Sequence, residues 1–493
     1  MKKYFLHYII YIYSSFIISQ SPELISNYNL SGFIADIETG ESIIGANVYL
    51  EDTDYGASTD LDGYFIIFNI PNNTYSLNVS YLGYEKIEQK VSINKNTEVE
   101  LELKPKPLDF NEVTVSGESV DRKKNFQTSR IKLNNLQLRN IPQIAEADLF
   151  RSLQSLPGIL TQNDFSTGLI IRGGNTDQNL ILLDGITVYN PSHVGGVFSN
   201  FILDAIKEVD LQKGGYNAEY GGRLSSVLKV TSREGNSKKF SGSTSISLLS
   251  GQALLEGPIK NGAWIVAGRR TYFDQIFKGT DFYFPYFFYD LQGHLYQDIN
   301  SKNRISLSFY QGEDNLKWDD EFGIEAIWAN KTISLNYRIF HSQQLLSNWM
   351  IAKSKFDIFT GIGRNSSSGI VEVDYVDDIT LRNDWTLFIS EDHQFNFGLE
   401  YKNLDFNYDS SDNGETVFYL QQSPIESAVY AKHKFLTNKF LIQPGIRLNY
   451  FSNLNKKMYL DPRLQLKYFI NDNRYLNFSI GQYHQFMSIL QDD

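Results

Sequence analysis

The sequence predicts a mainly β chain: an N-terminal β-sandwich, an α+β middle region and an incomplete transmembrane antiparallel β-barrel. Three observations predict it. Residues 28–105 hold short strand-like runs with turn residues at intervals of about eight to twelve positions. From 233 onward, long segments alternate apolar and polar residues with a period of two. The aromatic load is heavy, 31 Tyr and 34 Phe, and beyond the N-terminus no apolar run reaches the length of a spanning helix.

Composition narrows the function. The 493 residues carry a net charge of -12 and no basic stripe, so a nucleic-acid partner is not expected. No cysteine is present, which excludes disulfides, thiolate zinc sites and a lipidated N-terminal cysteine. The 7 histidines are scattered, and neither an HExxH nor an HxxE pair occurs. No metal site and no cofactor are therefore expected.

Taken in order, residues 1–19 read as an export signal: Lys2 and Lys3 precede an apolar stretch from Tyr4 to Ile18, with Ser19 and Gln20 at the cleavage point. In the 28–105 unit, "DLDG" at 60–63 lacks the acid spacing of a calcium loop, and Asp62-Gly63 reads as a hairpin turn. The linker 106–124, entered through Lys104-Pro105 and Lys106-Pro107, is extended. It contains the strand-like "EVTVSG", a peptide suited to β-augmentation by a partner or to closing a neighbouring domain.

Residues 125–232 are mixed. Leu149, Leu153 and Leu156 fall at helical spacing before the stop Pro157-Gly158. Three strands follow in "GLIIRGG", "LILLDGITV" and "AIKEVDLQKGG". Gly173 and Gly174 after Arg172 permit a tight turn, and Asp184-Gly185 makes a second one. Beyond 233, Ile333, Leu335, Tyr337 and Ile339 face one way while Thr332, Ser334, Asn336 and Arg338 face the other. Such strands exceed the usual five or six residues of a soluble sandwich and match the roughly nine to eleven of a membrane strand. In 393–408 the apolar residues slip phase, from odd (Phe395 to Tyr401) to even (Leu404, Phe406, Tyr408). A bulge, or a strand rising beyond the membrane, accounts for the slip.

Two resemblances complete the reading. "SGFIADIETGESIIGANVYL", "STDLDGYFII" and "YSLNVSYLGYE" resemble the carboxypeptidase-regulatory-like domain, a resemblance that implies no peptidase activity. "LQSLPGI", "IRGGNTDQNLILLDGITVYNP", "DAIKEVDLQKGGYNAEYGGRLSSVLKVTSREG", "LLEGPI" and "VAGRRTY" resemble the plug and first barrel strands of a TonB-dependent outer-membrane receptor of the Bacteroidetes-like type.

That resemblance implies an outer-membrane protein with its N-terminal domain in the periplasm, importing a scarce solute (siderophore, oligosaccharide, vitamin or peptide) with energy from TonB. Its implied partners are TonB with its inner-membrane motor proteins, outer-membrane lipid, a surface lipoprotein and the unknown solute. Glu112, Val113, Thr114 and Val115 stand where the TonB box falls. The plug motif comprises Arg172, Gly173, Gly174, Asp184, Gly185, Glu219, Tyr220, Gly221, Gly222 and Arg223. Because charge beside glycine invites close backbone approach, Arg172, Glu219 and Arg223 are expected to form ion pairs within the plug or against the wall.

The family barrel has about 22 strands. Residues 233–493 supply roughly thirteen, so a fragment of a longer receptor is expected. The alternatives are a barrel-anchored surface adhesin without transport and a secreted all-β enzyme with paired carboxylates.

Overall fold

The computed structural model describes residues 27–106, 129–139, 146, 148–161, 166–281, 283–318, 323–363, 369–471 and 474–487. The export signal, the box Glu112–Val115 and the linker beyond Lys106 lie outside the described residues.

The N-terminal module packs two small sheets face to face. One orders its strands Tyr64–Pro71, Asn27–Asp36, Thr97–Leu103; the other runs Gly56–Ser58, Asn47–Leu50, Asn73–Ser80, Ile87–Ile93. Alternate residues fill the space between them, including Leu30, Ile34, Val48, Leu50, Ile67, Leu77, Val79 and Ile93. The turn ahead of Tyr64–Pro71 closes on Asp60, whose carboxylate accepts from the Asp62 and Tyr64 amides, both at 2.9 Å.

The plug is a five-stranded sheet ordered Ile186–Thr187, Asn179–Leu183, Ser226–Ser232, Ile206–Lys213, Arg130–Asn134. The helix Leu149–Gln154 lies against it, its N-terminus capped by Asp148, whose side chain accepts from the Arg151 amide. Leu149, Phe150 and Leu153 reach the core of Ile181, Leu183, Val209, Leu211, Leu228 and Val230. Leu156 is only partly buried, because the helix ends before it.

The strands described between Ser241 and Gly481 form one antiparallel sheet of 14 strands, each paired with the next in sequence except that Glu415–Gln422 lies off the main path. Glu415–Gln422 pairs the upper part of His393–Asp412, and Ile425–Leu436 pairs the lower part, so the two act as one strand interrupted at Ser423-Pro424.

The sheet is inside-out relative to a soluble protein. One rung runs Leu295, Leu307, Leu335, Ile351, Leu381, Tyr401 across six successive strands. Ile351 in this rung is 51% exposed, while on the opposite face Ser334 and Ser354 are covered. A polar face turned inward and an apolar face turned outward suit a wall with lipid outside. Trp349, Trp385, Phe397 and Phe395 form a contiguous aromatic group on the outer face, with Trp385 stacked on Phe397 at 5.9 Å. It lies next to the tight turns 341–344 and 389–392, where a membrane-interface belt belongs.

The phase slip has its answer here. His393–Asp412 pairs Ile370–Phe388 in unbroken register, from Gln394 opposite Phe388 to Asp412 opposite Ile370. No bulge separates the odd and even series. Leu404, Phe406 and Tyr408 instead face inward, in the half of the strand farther from the aromatic belt.

The N-terminal module is docked on the barrel's belt end. Phe33, Tyr64 and Phe340 form a three-ring cluster with centroids 4.7 to 5.6 Å apart. Asp62 pairs with Arg338, and the Tyr64 hydroxyl donates to the Gln343 carbonyl at 2.8 Å. Glu234 accepts from the Ser42 hydroxyl at 2.7 Å and pairs with Lys207 at 3.4 Å. The module has its own core but is seated against plug and wall alike.

If the Leu295–Tyr401 rung faces lipid, Ile351→Arg places a cation in the bilayer and should destabilise the protein by about 2–4 kcal/mol. Ser354→Ala, on the inner face, should cost about 1 kcal/mol, the worth of its hydrogen bond to the Thr187 carbonyl. Urea unfolding in lipid vesicles measures both, and equal costs would contradict the assignment of faces.

Candidate functional site at the plug and barrel wall

The two glycine turns of the plug are built alike. The Gly174 amide donates to the Ile171 carbonyl at 3.0 Å, and Arg172 and Gly173 between them both have positive φ, 53° and 78°. Asp184 and Gly185 repeat the pattern at 50° and 89°. This is the backbone of a type I′ turn, which explains the glycines at the second position. The turn directs Arg172 outward. Its guanidinium donates to the Ser129 hydroxyl, the residue is exposed, and it has no ion pair among the described residues. The expected pairing of Arg172 is thus corrected: a turn that needs left-handed backbone also carries its side chain to the surface. Asp184 turns back and holds the last plug strand, accepting from the Ser232 amide at 2.8 Å and hydroxyl at 2.7 Å.

"AEYGGR" meets the wall. Glu219 is mostly covered, and its carboxylate lies 2.8 Å from Lys432 of the strand Ile425–Leu436. Burial opposes its ionisation, but the Lys432 ammonium outweighs burial and holds the carboxyl below its ordinary range. Tyr220 is buried beneath the Arg382 guanidinium, 5.7 Å from the ring centroid. A Cβ on Gly221 would run into the Arg447 guanidinium, so this glycine is required for close approach. Gly222, at φ 75°, lies under the Glu426 carboxylate. Arg223 donates to the Gly222 carbonyl at 2.8 Å and makes no ion pair among the described residues, a second correction.

Wall residues complete the seat. Arg463 donates to the carbonyls of Asn217 and Tyr220 at 2.5 and 2.7 Å. Fully covered Arg447 donates to the Glu219 carbonyl at 3.2 Å and pairs with Glu400 at 2.9 Å. Arg382 pairs with Asp384 at 2.8 Å. Across the lumen, His193 at the plug apex lies between Asp290 at 2.8 Å and Asp314 at 2.6 Å, stacked on Phe288. Arg269 shares Asp290 at 2.6 Å and reaches Glu146 at 3.4 Å. Burial works against a charged His193, but Asp290 and then Asp314 outweigh it and raise its pKa to about 8.

The sequence reading singled out charges beside plug glycines and passed over His193, Arg269, Arg447 and Arg463. The barrel arginines could have been found: "RLNY" and "RLQL" put Arg447 and Arg463 on the polar phase of alternating strands. Among the described residues no cluster of His, Cys, Asp and Glu has metal-binding geometry.

Comparison with known proteins matches this architecture. Residues 30–115 match the CarboxypepD_reg-like domain and residues 124–226 the TonB-dependent receptor plug domain. TonB-dependent receptor P3 of Formosa agariphila is 24% identical over 220 residues, 43% of this chain and 21% of that protein. TonB-dependent receptor SusC of Bacteroides thetaiotaomicron is 27% identical over 237 residues, 44% of this chain and 23% of that protein. The outer membrane transporter YddB of Escherichia coli superposes with a TM-score of 0.59 at 12% identity, covering 72% of this chain and 61% of that one. The ferric citrate transporter FecA superposes at 0.56 and 15% identity, covering 73% and 63%. The chain thus spans about a fifth of the length of its curated relatives and about three-fifths of these structures. With these structures the chain shares the fold of a barrel that holds a plug.

Two measurements test the seat. Glu219→Ala leaves Lys432 buried without its partner and should loosen the plug by about 3–5 kcal/mol. Arg172→Ala should stay within about 0.5 kcal/mol. Hydrogen exchange of plug amides distinguishes them, and equal effects would refute the assignment.

His193 gives a pH dependence. Its folded pKa lies above the ordinary 6.5, so its contribution is complete below about pH 6.5 and lost as pH rises through about 8. Exchange at the Val194 amide, bonded to Asp314 at 2.9 Å, should quicken between pH 7 and 9 beyond the intrinsic trend. His193→Gln should abolish that excess.

Proposed function

We propose that this chain, which carries the regulatory-like module, the plug and the barrel fold of TonB-dependent outer-membrane receptors, imports a scarce solute with energy transmitted by TonB. The observation that carries the proposal is the nature of the plug's seat. The plug fills the lumen, yet the wall holds it through ion pairs and hydrogen bonds to carbonyls rather than through a continuous apolar core. Polar contacts of this kind can be exchanged for water, so the obstruction is displaceable when work is supplied.

On this reading the solute is captured on the outer side. TonB adds a strand to Glu112–Val115 from the periplasm, and force on that segment disturbs the plug. No bond of the solute changes, so no residue acts as a catalyst. A surface lipoprotein is a further proposed partner, covering the outer mouth.

Val113→Pro removes a ladder donor and fixes φ, so it should abolish uptake while surface binding persists. Uptake is measured with labelled solute in cells with and without TonB. Binding without uptake in either background would mark a surface adhesin instead, and unchanged uptake in the proline variant would place the TonB contact elsewhere.

A further inference from the structure

The inward side of the wall changes character just above the plug. The plug's uppermost contacts are Asn330 with the Asn190 carbonyl at 2.5 Å, Tyr189 with Asp378 at 2.7 Å, and His193 with Asp314 at 2.6 Å. Register continues from Asp314 upward over five strands. Asp314, Trp328, Ile358, Asp374 and Tyr408 stand side by side in one rung, and Leu316, Ala326, Thr360, Glu372 and Ser410 in the next. Trp318, Ile324, Ile362, Ile370 and Asp412 close the series at the top.

Below the plug's apex the polar series faces inward and the apolar series outward. From the level of its upper contacts this sorting breaks down. Lys331, Lys355, Asp377 and Asp405 share an outward rung beside those contacts, and Glu313, Asp357, Lys317 and Asp409 stand outward in the rungs that follow, among Ile327, Phe359 and Val373. A lipid-facing surface does not carry this many charges, so these residues stand outside the bilayer, and their inward neighbours line an open chamber. The aromatic members each pack on a second ring: Trp318 is edge-on to Phe284 at 5.8 Å, Trp328 lies 6.4 Å from Tyr286, and Tyr408 lies edge-on to Phe418 at 5.4 Å. Trp318 is 40% exposed and Phe418 47%.

The charges on the inward positions of these rungs have one sign. Glu372, Asp374 and Asp412 occupy inward positions, and none of the inward positions in these rungs is Lys or Arg. Aromatic faces attract cations through their quadrupoles, and carboxylates add complementary charge while disfavouring anions.

We propose that this wall binds an organic cation with an apolar or aromatic body, and that such a cation is the solute class of the receptor. The proposal rests on the import reading above, and it assigns the chemistry of the cargo. The carboxylates of Glu372 and Asp374 face the positive group, and Trp328, Tyr408 and Trp318 face the rings or methyl groups beside it.

Calorimetric titration of the detergent-solubilised protein with phenyltrimethylammonium tests the proposal. Benzenesulfonate serves as the ring-matched anion and maltohexaose as a neutral ring ligand. The cation should bind at least tenfold more tightly than the anion, and added salt should weaken it. Glu372→Gln with Asp374→Asn, and separately Trp328→Ala, should each weaken it at least tenfold; retained heat-modifiability shows that these variants fold. Equal or tighter binding of benzenesulfonate, binding of maltohexaose without the cation, or binding of none of the three overturns the proposal. TonB-dependent uptake of labelled solute is scored separately, so a wrong charge assignment and a wrong import reading give different results.

Discussion

The structure depends on one constraint: a barrel wall that faces lipid must turn its polar groups inward, and those groups need partners. Arg447 and Arg463 are nearly removed from solvent. Alone in a dry interior, each guanidinium would carry a desolvation penalty of several kcal/mol. The plug supplies what they lack, through the carbonyls of Asn217, Glu219 and Tyr220. Plug and wall are thus a single electrostatic unit, and the local sequence of the plug follows from this. Gly221 makes room for a guanidinium, Glu219 meets the nearest ammonium, and the backbone turns so that its carbonyls point outward to the wall.

The same constraint explains how the contact stays reversible. The plug's apolar core closes on itself around Leu149, Val209 and Leu228, and Tyr310 is the one barrel side chain in that cluster. Elsewhere buried apolar residues of plug and wall meet in two patches, Ile202 and Ala205 against Leu254, Ile265 and Ala267, and Ile186 against Met350 and Ala352, while the other contacts are mostly polar groups that water can satisfy. The N-terminal module docks differently, with Phe33 and Tyr64 against Phe340 and with Phe388 and Leu346 packed beside them. Its contact is part apolar and part ionic, and it sits at the belt end of the barrel.

Much of the fold was legible in the sequence because period two is a property of the backbone. Ile333 and Leu335 on one side and Thr332 and Ser334 on the other could be sorted without knowing their neighbours, and the burial follows that sorting. The site was less legible. Arg463 and Tyr220 are separated by 243 residues, and no local pattern says which wall charge meets which plug carbonyl. Arg172 misled because a glycine beside a charge can mean two things. At Gly221 it means close approach, while at Gly173 it means left-handed backbone that turns the preceding side chain out to water. The slip in His393–Asp412 was visible as an anomaly, but only the continuous pairing shows that the environment changes and the strand does not.

The uppermost hairpin of the wall bears on dynamics. His393–Asp412 turns back at Asn413-Gly414, with φ of 52° and 80°, and re-enters the sheet at Glu415. The rim at this point is hydrogen-bonded ladder rather than a long loop. A surface already ordered before a ligand arrives loses little conformational entropy on contact, so less of the interaction energy is consumed in ordering. On the proposed import reading, capture by this part of the rim needs no lid to close. Its rate is governed by diffusion into the mouth and by the field there, and residence time by the contacts alone.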